Sequence, residues 1–329
     1  MPEASRMKVA IVGIGHVARH QISAIRQMAG VVELVGAYDK DVRASQKRAP
    51  CRFHKTLNDL IEKSDADVFV VATPNSDHYA TTSRLLAAGR AVMVEKPVCE
   101  NLDELHKLAR RARTGGIFFH TALHAAFARD LLWWLENRKQ LAHRFGPVER
   151  FHMGFYDPYI ERDGSIKAGA EGLGGSWYDS GINALSVLER IADPGSMQVR
   201  RAHMFSSPRI ACKQIKGSAQ LECRVDGSSC AGEIDTNWTL GLNRKITVLG
   251  YARATVILDH SGQKVIVRGG KGRPKAVSLQ NGRSRLTNQY VGVFGDLVQS
   301  FARHKDNIKS ATQLHALLFA ALEQANGSH

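Results

Sequence analysis

The stretch Lys8-Val9-Ala10-Ile11-Val12-Gly13-Ile14-Gly15-His16-Val17-Ala18 is an apolar run that breaks into a glycine-rich turn. A helical pattern follows (Ile22, Ile25, Met28), then a second apolar run, Val31–Tyr38, which ends at Asp39. The order is strand, glycine-rich turn, helix, strand, acid. The glycines are spaced G-x-G-x-x-A. Gly13 permits a tight turn, Gly15 lets the backbone approach a pyrophosphate, and Ala18 keeps the helix close to the sheet. The free N–H groups of Ile14, Gly15, His16 and Val17 then face phosphate oxygens at a helix start. Asp39 lies about 20 residues past Ala18, the spacing of a carboxylate that bonds a ribose 2′-hydroxyl. An ordinary strand-to-helix turn is the alternative, but the acid at that distance favours a dinucleotide site. The same carboxylate repels a 2′-phosphate, so NAD is the expected cofactor. Lys40, Arg43, Lys47 and Arg48 lie just beyond and keep NADP possible, although they also suit a solvated helix face.

The alternation continues. Leu57–Lys63 reads as helix, and Asp67–Ala72 as a buried strand that runs into Thr73-Pro74-Asn75-Ser76-Asp77-His78. His78–Gly89 is helical, Ala91–Val94 is a strand leading into Glu95-Lys96-Pro97, Leu102–Thr114 is an amphipathic helix, and Ile117–His120 is another strand. Repeated strand–helix units imply a doubly wound parallel sheet of the Rossmann kind, with helices on both faces. Ligands of such sheets sit at the carboxyl ends of the strands. Gly13–Ala18, Asp39, Thr73–His78, Lys96 and His120 to His124 all fall there.

The second half changes character. Val148–Tyr156, Met197–Ser206, Ser218–Val225, Ser229–Trp238, Lys245–Leu249, Ala254–Leu258 and Lys264–Val267 are short runs, several alternating apolar with polar, and turn residues lie between them. They imply an α/β domain built on an open, mostly antiparallel sheet. Helical patterns flank it at Gly175–Ile191, Asn288–Arg303 and Gln313–Gln324. The division is expected at residues 1–124 and 125–329.

Composition narrows the function. The chain has 329 residues, 43% hydrophobic and 23% charged, as in an ordinary globular protein of about two domains. No run approaches the ~18 apolar residues of a membrane helix. Met1–Arg6 has no apolar leader, so a cytoplasmic protein is expected. The five cysteines are scattered without a Cys-x-x-Cys pair, which argues against a disulfide framework or zinc ribbon. The net charge of +14 owes much to Gln263–Arg285, with Lys264, Arg268, Lys271, Arg273, Lys275, Arg283 and Arg285. That run reads as a solvated strand edge and not as a nucleic-acid face, because it has no aromatic stacking residues. His120 and His124 are four apart but lack the glutamate of a zinc motif, and no metal is expected.

Three residues carry candidate chemistry. Lys96 ends a buried strand, where a lysine can donate to a substrate oxygen or handle a proton. Gly174-Gly175-Ser176-Trp177-Tyr178-Asp179-Ser180-Gly181-Ile182-Asn183 leads into an apolar helical pattern. On a helix, Asp179 and Asn183 share one face and can hold a diol or hemiacetal. A helix-start acid acting on the macrodipole, beside a polar surface residue, explains the same pair equally well.

Taken together, the glycine turn, Thr73-Pro74-Asn75-Ser76-Asp77-His78, Glu95-Lys96-Pro97 and the glycine-led Asp179-Ser180-Gly181-Ile182-Asn183 resemble the glucose–fructose oxidoreductase / inositol dehydrogenase (Gfo/Idh/MocA) family. The resemblance covers nearly the whole chain. It implies Lys96, Asp179 and Asn183 at the catalytic centre and Thr73, Pro74, Asn75, His78 and Glu95 around the cofactor. It also implies a homo-oligomer, dimer or tetramer, formed through the open sheet. Where the family carries a histidine at the end of Asp-x-Gly-x-His, this chain has Asn183, which cannot accept a proton. The stretch to Ser186 is similar to a branch of bacterial L-arabinose and D-galactose 1-dehydrogenases, as are Glu233-Ile234-Asp235 and Leu123-His124. The branch's tryptophan-rich loop is replaced by Tyr159–Ala170. The expected enzyme is an NAD-dependent aldose 1-dehydrogenase that makes an aldonolactone, with Lys96, His124, Asp179 and Asn183 holding the sugar. Oxidation of a secondary ring alcohol, or dinucleotide sensing without turnover, are the alternatives.

Overall fold

The computed structural model describes residues 6–42, 50–208, 210, 212–269 and 273–326. Arg43, Lys47, Arg48 and Lys271 therefore lie outside the described residues. By its internal contacts the chain divides into two units. The first joins Met1–His124 to Leu286–Thr312, and the second joins Ala125–Arg285 to the chain from Gln313.

The first unit holds a parallel sheet of β1 (Met7–Val12), β2 (Val32–Tyr38), β3 (Val68–Val71), β4 (Val92–Glu95) and β5 (Phe119–Ala122), in the order β2-β1-β3-β4-β5. Its helices are α1 (His16–Gln27), α2 (Leu57–Lys63), α3 (Asn75–Ala87) and α4 (Leu102–Thr114). All four residues of β3, Val-Phe-Val-Val, are buried, because helices cover both faces of the sheet. Phe69, Leu85, Leu86, Leu105, Leu108 and Phe119 form part of the core between sheet and helices. Asn101 caps α4 by accepting the Glu104 N–H at 2.9 Å, and Thr56 caps α2 in the same way.

The sheet's β5 edge is closed by a side chain from far along the sequence. Asn307 accepts the Thr121 N–H at 2.8 Å and donates to the Thr121 carbonyl at 2.8 Å, as a neighbouring strand would. Helix α7 (Arg285–Ala302) brings this segment back, with Phe301 edge-on to Phe118 at 5.3 Å and Asp296 3.1 Å from the His120 ring.

The second unit holds an eight-stranded sheet of β6 (Val148–Tyr156), β7 (Gln198–Phe205), β8 (Lys216–Val225), β9 (Ser228–Asn237), β10 (Arg244–Tyr251), β11 (Ala254–Asp259), β12 (Lys264–Gly269) and β13 (Lys275–Ser278). The order is β13-β12-β11-β10-β6-β9-β8-β7, and every pairing is antiparallel except β6 with β9. Asp226-Gly227 forms the two-residue turn between β8 and β9. Both residues have positive φ (49° and 82°), as the hairpin geometry requires, and Asp193 accepts both N–H groups. One face of the sheet is apolar: Phe151, Met153 and Phe155 of β6, Ile234 of β9 and Leu221 of β8 are all buried.

The structure departs from the sequence reading in places. Arg129–Phe145 is a helix (α5) that was not expected, whereas the basic Lys275–Ser278 is an edge strand, as the charge of that run implied. The expected Gly175–Ile191 helix is a π-helical turn over Trp177–Gly181 that continues into α6 (Ile182–Ile191). The wider turn fits the packing. Trp177 is fully buried with its indole N–H on the Leu318 carbonyl at 3.1 Å, and Ser176 Oγ lies 3.2 Å from Thr236 Oγ1. The last helix, α8, runs Ile308–Asn326. Among the described residues no helix is long and apolar enough to cross a membrane.

Candidate active site

In the first unit the candidate residues stand at the carboxyl ends of the strands. Gly13 has φ +96°, and a Cβ there would lie 2.6 Å from the Ala72 carbonyl oxygen, so only glycine fits. Its N–H donates to Tyr38 O at 2.8 Å. Gly15 is exposed, with nothing within 4 Å of a Cβ position, and it stands as N-cap of α1 without a side-chain cap. The first N–H groups of α1 therefore open onto space that suits an anion. Asp39 Oδ2 accepts the Ile14 N–H at 2.6 Å, which ties the acid at the end of β2 to the glycine turn. Lys40, read as a softener of cofactor choice, pairs with Asp77 at 2.9 Å. This cradle fits the pyrophosphate and ribose of a dinucleotide. Partial desolvation of the His16 ring, and then the charge of Arg19, lower its pKa.

Thr73-Pro74-Asn75 turns β3 into α3, whose first residue, Asn75, is buried. His78 places Nδ1 2.7 Å from Pro97 O and Nε2 2.9 Å from Thr73 O. Burial lowers its pKa, against the pull of both carbonyls. Both ring nitrogens are thus engaged by backbone, and His78 clamps the Thr73 turn to the loop after Lys96. That loop begins with a cis Lys96–Pro97 bond. Lys96 is half-buried at the end of β4.

Glu95 beside it is buried. Its Oε1 accepts from Gln21 Nε2 at 2.7 Å and from the Tyr290 hydroxyl at 2.6 Å. Burial pushes its carboxyl up to about 7, against the Tyr290 hydrogen bond, the Lys96 charge and the Gln21 amide. His124 holds Gln289 Oε1 at 2.9 Å through Nδ1 and lies 5.4 Å from the Tyr290 ring.

In the second unit Asp179 lies within the π-turn, 7% exposed. The turn and α6 keep it next to Asn183, whose Nδ2 donates to the Asp179 carbonyl at 3.2 Å. Asn183 Oδ1 is buried and has no hydrogen-bond partner among the described residues. Neighbouring Ser180 donates to Asp157 Oδ2 at 2.8 Å, and Asp157 is paired with Lys245. Lys245 also donates to Asn243 Oδ1 at 2.7 Å and to Tyr156 O at 3.0 Å. Burial raises the Tyr159 pKa, and the nearby charge of Asp179 raises it further.

The sequence reading missed several of these residues. Gln21 had a signal, as a lone glutamine among the buried α1 residues Ala18, Ile22, Ala24 and Ile25. Tyr290, Gln289 and the Asp157–Lys245 pair had none at short range. Glu233 and Asp235 project from the sheet face opposite Ile234 and Thr236, which are fully buried. With His152 they bring ligand atoms within 4.8 Å of one another, a group able to hold a metal ion.

Residues 7–122 match the family model described as "Oxidoreductase family, NAD-binding Rossmann fold". Over that stretch the chain is similar to the Gfo/Idh/MocA oxidoreductases. The matched residues are those of the parallel sheet and glycine turn described above, the part of the chain that the family model describes as NAD-binding. A protein of Amycolatopsis mediterranei named for the oxidoreductase subunit of a UDP-kanosamine synthase is 29% identical over 58% of this chain. The match spans about half of that relative, 53%. The scyllo-inositol 2-dehydrogenase (NADP(+)) IolU of Bacillus subtilis is 26% identical over 42% of this chain and 42% of its own length. The inositol dehydrogenase homologue of Azotobacter vinelandii, crystallised with NADH and myo-inositol, shares the fold with TM-score 0.81 and 15% identity. It covers 99% of this chain and 97% of its own.

Proposed function

We propose that the chain is an NAD-dependent aldose 1-dehydrogenase that oxidises the anomeric hydroxyl of an L-arabinose- or D-galactose-like sugar to an aldonolactone. The observation that carries this reading is the Asp179–Asn183 pair. Asn183 spends its amide donor on the Asp179 carbonyl and keeps a buried, unpartnered oxygen. A buried acceptor of this kind is costly until a donor such as a sugar hydroxyl meets it. An amide cannot take a proton, so the hydroxyl proton goes to the Asp179 carboxylate or the Lys96 amine.

Gly13 and Gly15, with the α1 N–H groups of His16 and Val17, would hold the pyrophosphate, and Asp39 the ribose. Thr73, Pro74 and Asn75, clamped by His78, would line the cofactor's path beside Glu95. When bound, NAD accepts the hydride from the sugar carbon. Lys96 and Asp179 orient the hydroxyl and remove its proton, Asn183 fixes the ring by hydrogen bonding, and His124 is a further sugar contact held by Gln289. The reading includes a cytoplasmic homo-oligomer formed through the open face of the eight-stranded sheet. Light scattering that showed only a monomer would remove that part.

A second reading, oxidation of a ring secondary alcohol, is favoured by IolU, whose name places its chemistry at C2 of an inositol. Absorbance of reduced nicotinamide decides between them. Purified protein would be supplied with NAD or NADP and a panel of aldoses, inositols and UDP-sugars. Turnover of L-arabinose or D-galactose is the expected result, and turnover of inositol alone would overturn it. Lys96→Met should lower kcat by about 100- to 10,000-fold with NAD affinity unchanged. Near-normal turnover would remove Lys96 from the chemistry.

A further inference from the structure

Glu95 is a carboxyl group with no solvent exposure to speak of, yet it is not paired as a buried ion usually is. At 4% exposure it accepts two neutral donors at Oε1, the Gln21 amide and the Tyr290 hydroxyl. Its Oε2 lies 3.3 Å from the Lys96 N–H. Both neutral partners can serve either protonation state. A tyrosine hydroxyl donates to a carboxylate and accepts from a carboxylic acid, and a glutamine amide does the same by turning over. The other face of Gln21 is consistent with this, since its Oε1 is buried with no partner among the described residues. The site is built to hold Glu95 both with and without a proton.

Its place in the sheet says what would sense the difference. Asp39 marks the adenosine end at β2, and the glycine turn marks the pyrophosphate at β1. A dinucleotide laid across a doubly wound sheet then extends over β3 and β4, which puts its nicotinamide at the end of β4, where Glu95 stands. That ring is positive when oxidised and neutral when reduced.

We propose that Glu95, positioned by Tyr290 and Gln21, is a proton-linked counter-charge to the nicotinamide: it is ionised opposite the oxidised ring and protonated opposite the reduced one. The protein with reduced cofactor then carries one more proton than the protein with oxidised cofactor, and the proton is exchanged with water. The inference rests on the dinucleotide reading but not on the identity of the sugar. The groups that face Glu95 are Lys96 on its own strand, Gln21 on α1 and Tyr290 on α7, with His124 behind the Tyr290 ring. Burial against these partners leaves the carboxyl at about 7, within the range where a nearby unit charge decides its state.

The test needs no turnover. Dissociation constants of NAD and NADH are measured by fluorescence without substrate, from about pH 6 to about pH 8. One linked proton changes their ratio by at most about tenfold per pH unit. The expected result is that NAD gains on NADH by about fivefold or more as pH rises. Protonation of His16 beside the phosphates acts on both forms alike and cancels in the ratio. Glu95→Gln should flatten the ratio. Tyr290→Phe keeps the ring on His124 but removes a donor to the carboxylate, so the midpoint should move to higher pH. A ratio independent of pH in the wild-type protein overturns the proposal, as does a Glu95→Gln variant with the wild-type profile. Failure to bind either cofactor form would overturn the dinucleotide reading and, with it, this inference.

Discussion

Replacing Lys245 by Met isolates the charge that supports the Asp179 turn. Lys245 and Asp157 form an ion pair whose side chains are only 6% and 9% exposed. Asp157 also anchors Ser180, the residue next to Asp179. With the ammonium removed, the Asp157 carboxylate keeps the Ser180 hydroxyl but loses its counter-charge. Breaking a buried pair from one side costs about 3–5 kcal/mol, because a desolvated charge is left behind. The Asn243 and Tyr156 oxygens lose their donor as well, which places the expected cost in the upper part of that range. Removing both charges, as Asp157→Leu with Lys245→Met, should recover at least about 2 kcal/mol of the single-variant loss. Urea unfolding followed by tryptophan fluorescence reads the right part of the chain, since all four tryptophans lie between Trp133 and Trp238. If Lys245→Met costs less than about 1 kcal/mol, the pair is effectively solvated and the argument that it holds the turn fails.

Other predictions follow from the first unit. Glu95 binds its proton more tightly when folded, with its pKa raised from 4.5 to about 7. The stabilisation from that proton is complete below about 4.5 and fades as pH rises through about 7, by about 3 kcal/mol at most. Urea midpoints of wild type and Glu95→Gln, whose neutral amide stands for the protonated acid, should run closest at the acid end and separate as pH rises, with wild type losing stability relative to the variant, and parallel curves would refute the shift. Asp39→Ala should weaken NAD by about 10- to 100-fold while NADP loses less, since a charged hydrogen bond to the ribose contributes about 1.5–3 kcal/mol. An unchanged NAD-to-NADP affinity ratio would show that the carboxylate serves only the backbone, at the Ile14 and Asp41 N–H groups. Asn307→Ala leaves both backbone groups of Thr121 without their partner and should cost about 1–3 kcal/mol, together with faster amide exchange at Thr121. Unaltered exchange there would mean that solvent already reaches this edge.

The sequence showed most clearly those features that are local and periodic. Gly13–Ala18 with Asp39 announces the cofactor cradle because the tight turn, the helix start and the acid are imposed by one short strand–helix–strand unit. The short strands of the second unit were visible from their alternation and from the turn residues between them. What stayed hidden depends on distant partners or on small changes in local pitch. Tyr290 reaches Glu95 across 195 residues of sequence, and no local pattern announces that. The return of Leu286–Thr312 to the first unit cannot be expressed by any single cut in sequence order. The π-turn at Trp177–Gly181 differs from an α-helix only in hydrogen bonds that reach one residue further, below what an apolar pattern resolves. Asn183 was legible as a departure in chemistry, but its stranded oxygen could only be seen in three dimensions.

The Asn307 clasp on Thr121 also imposes an order on synthesis. The Rossmann sheet is made before the residues that complete it, since the partner of its β5 edge lies 186 residues beyond Thr121 and the donor to Glu95 195 residues beyond the acid, with Phe301 in the same returning segment. At about 5–20 residues per second, a ribosome needs on the order of 10–40 s between finishing β5 and delivering Asn307. For that interval the nascent first half carries an open strand edge and a buried acid without its hydroxyl. A gene fragment cut after His124 would make that condition permanent, so a transplantable dinucleotide module from this chain has to be assembled from two segments that are far apart in sequence.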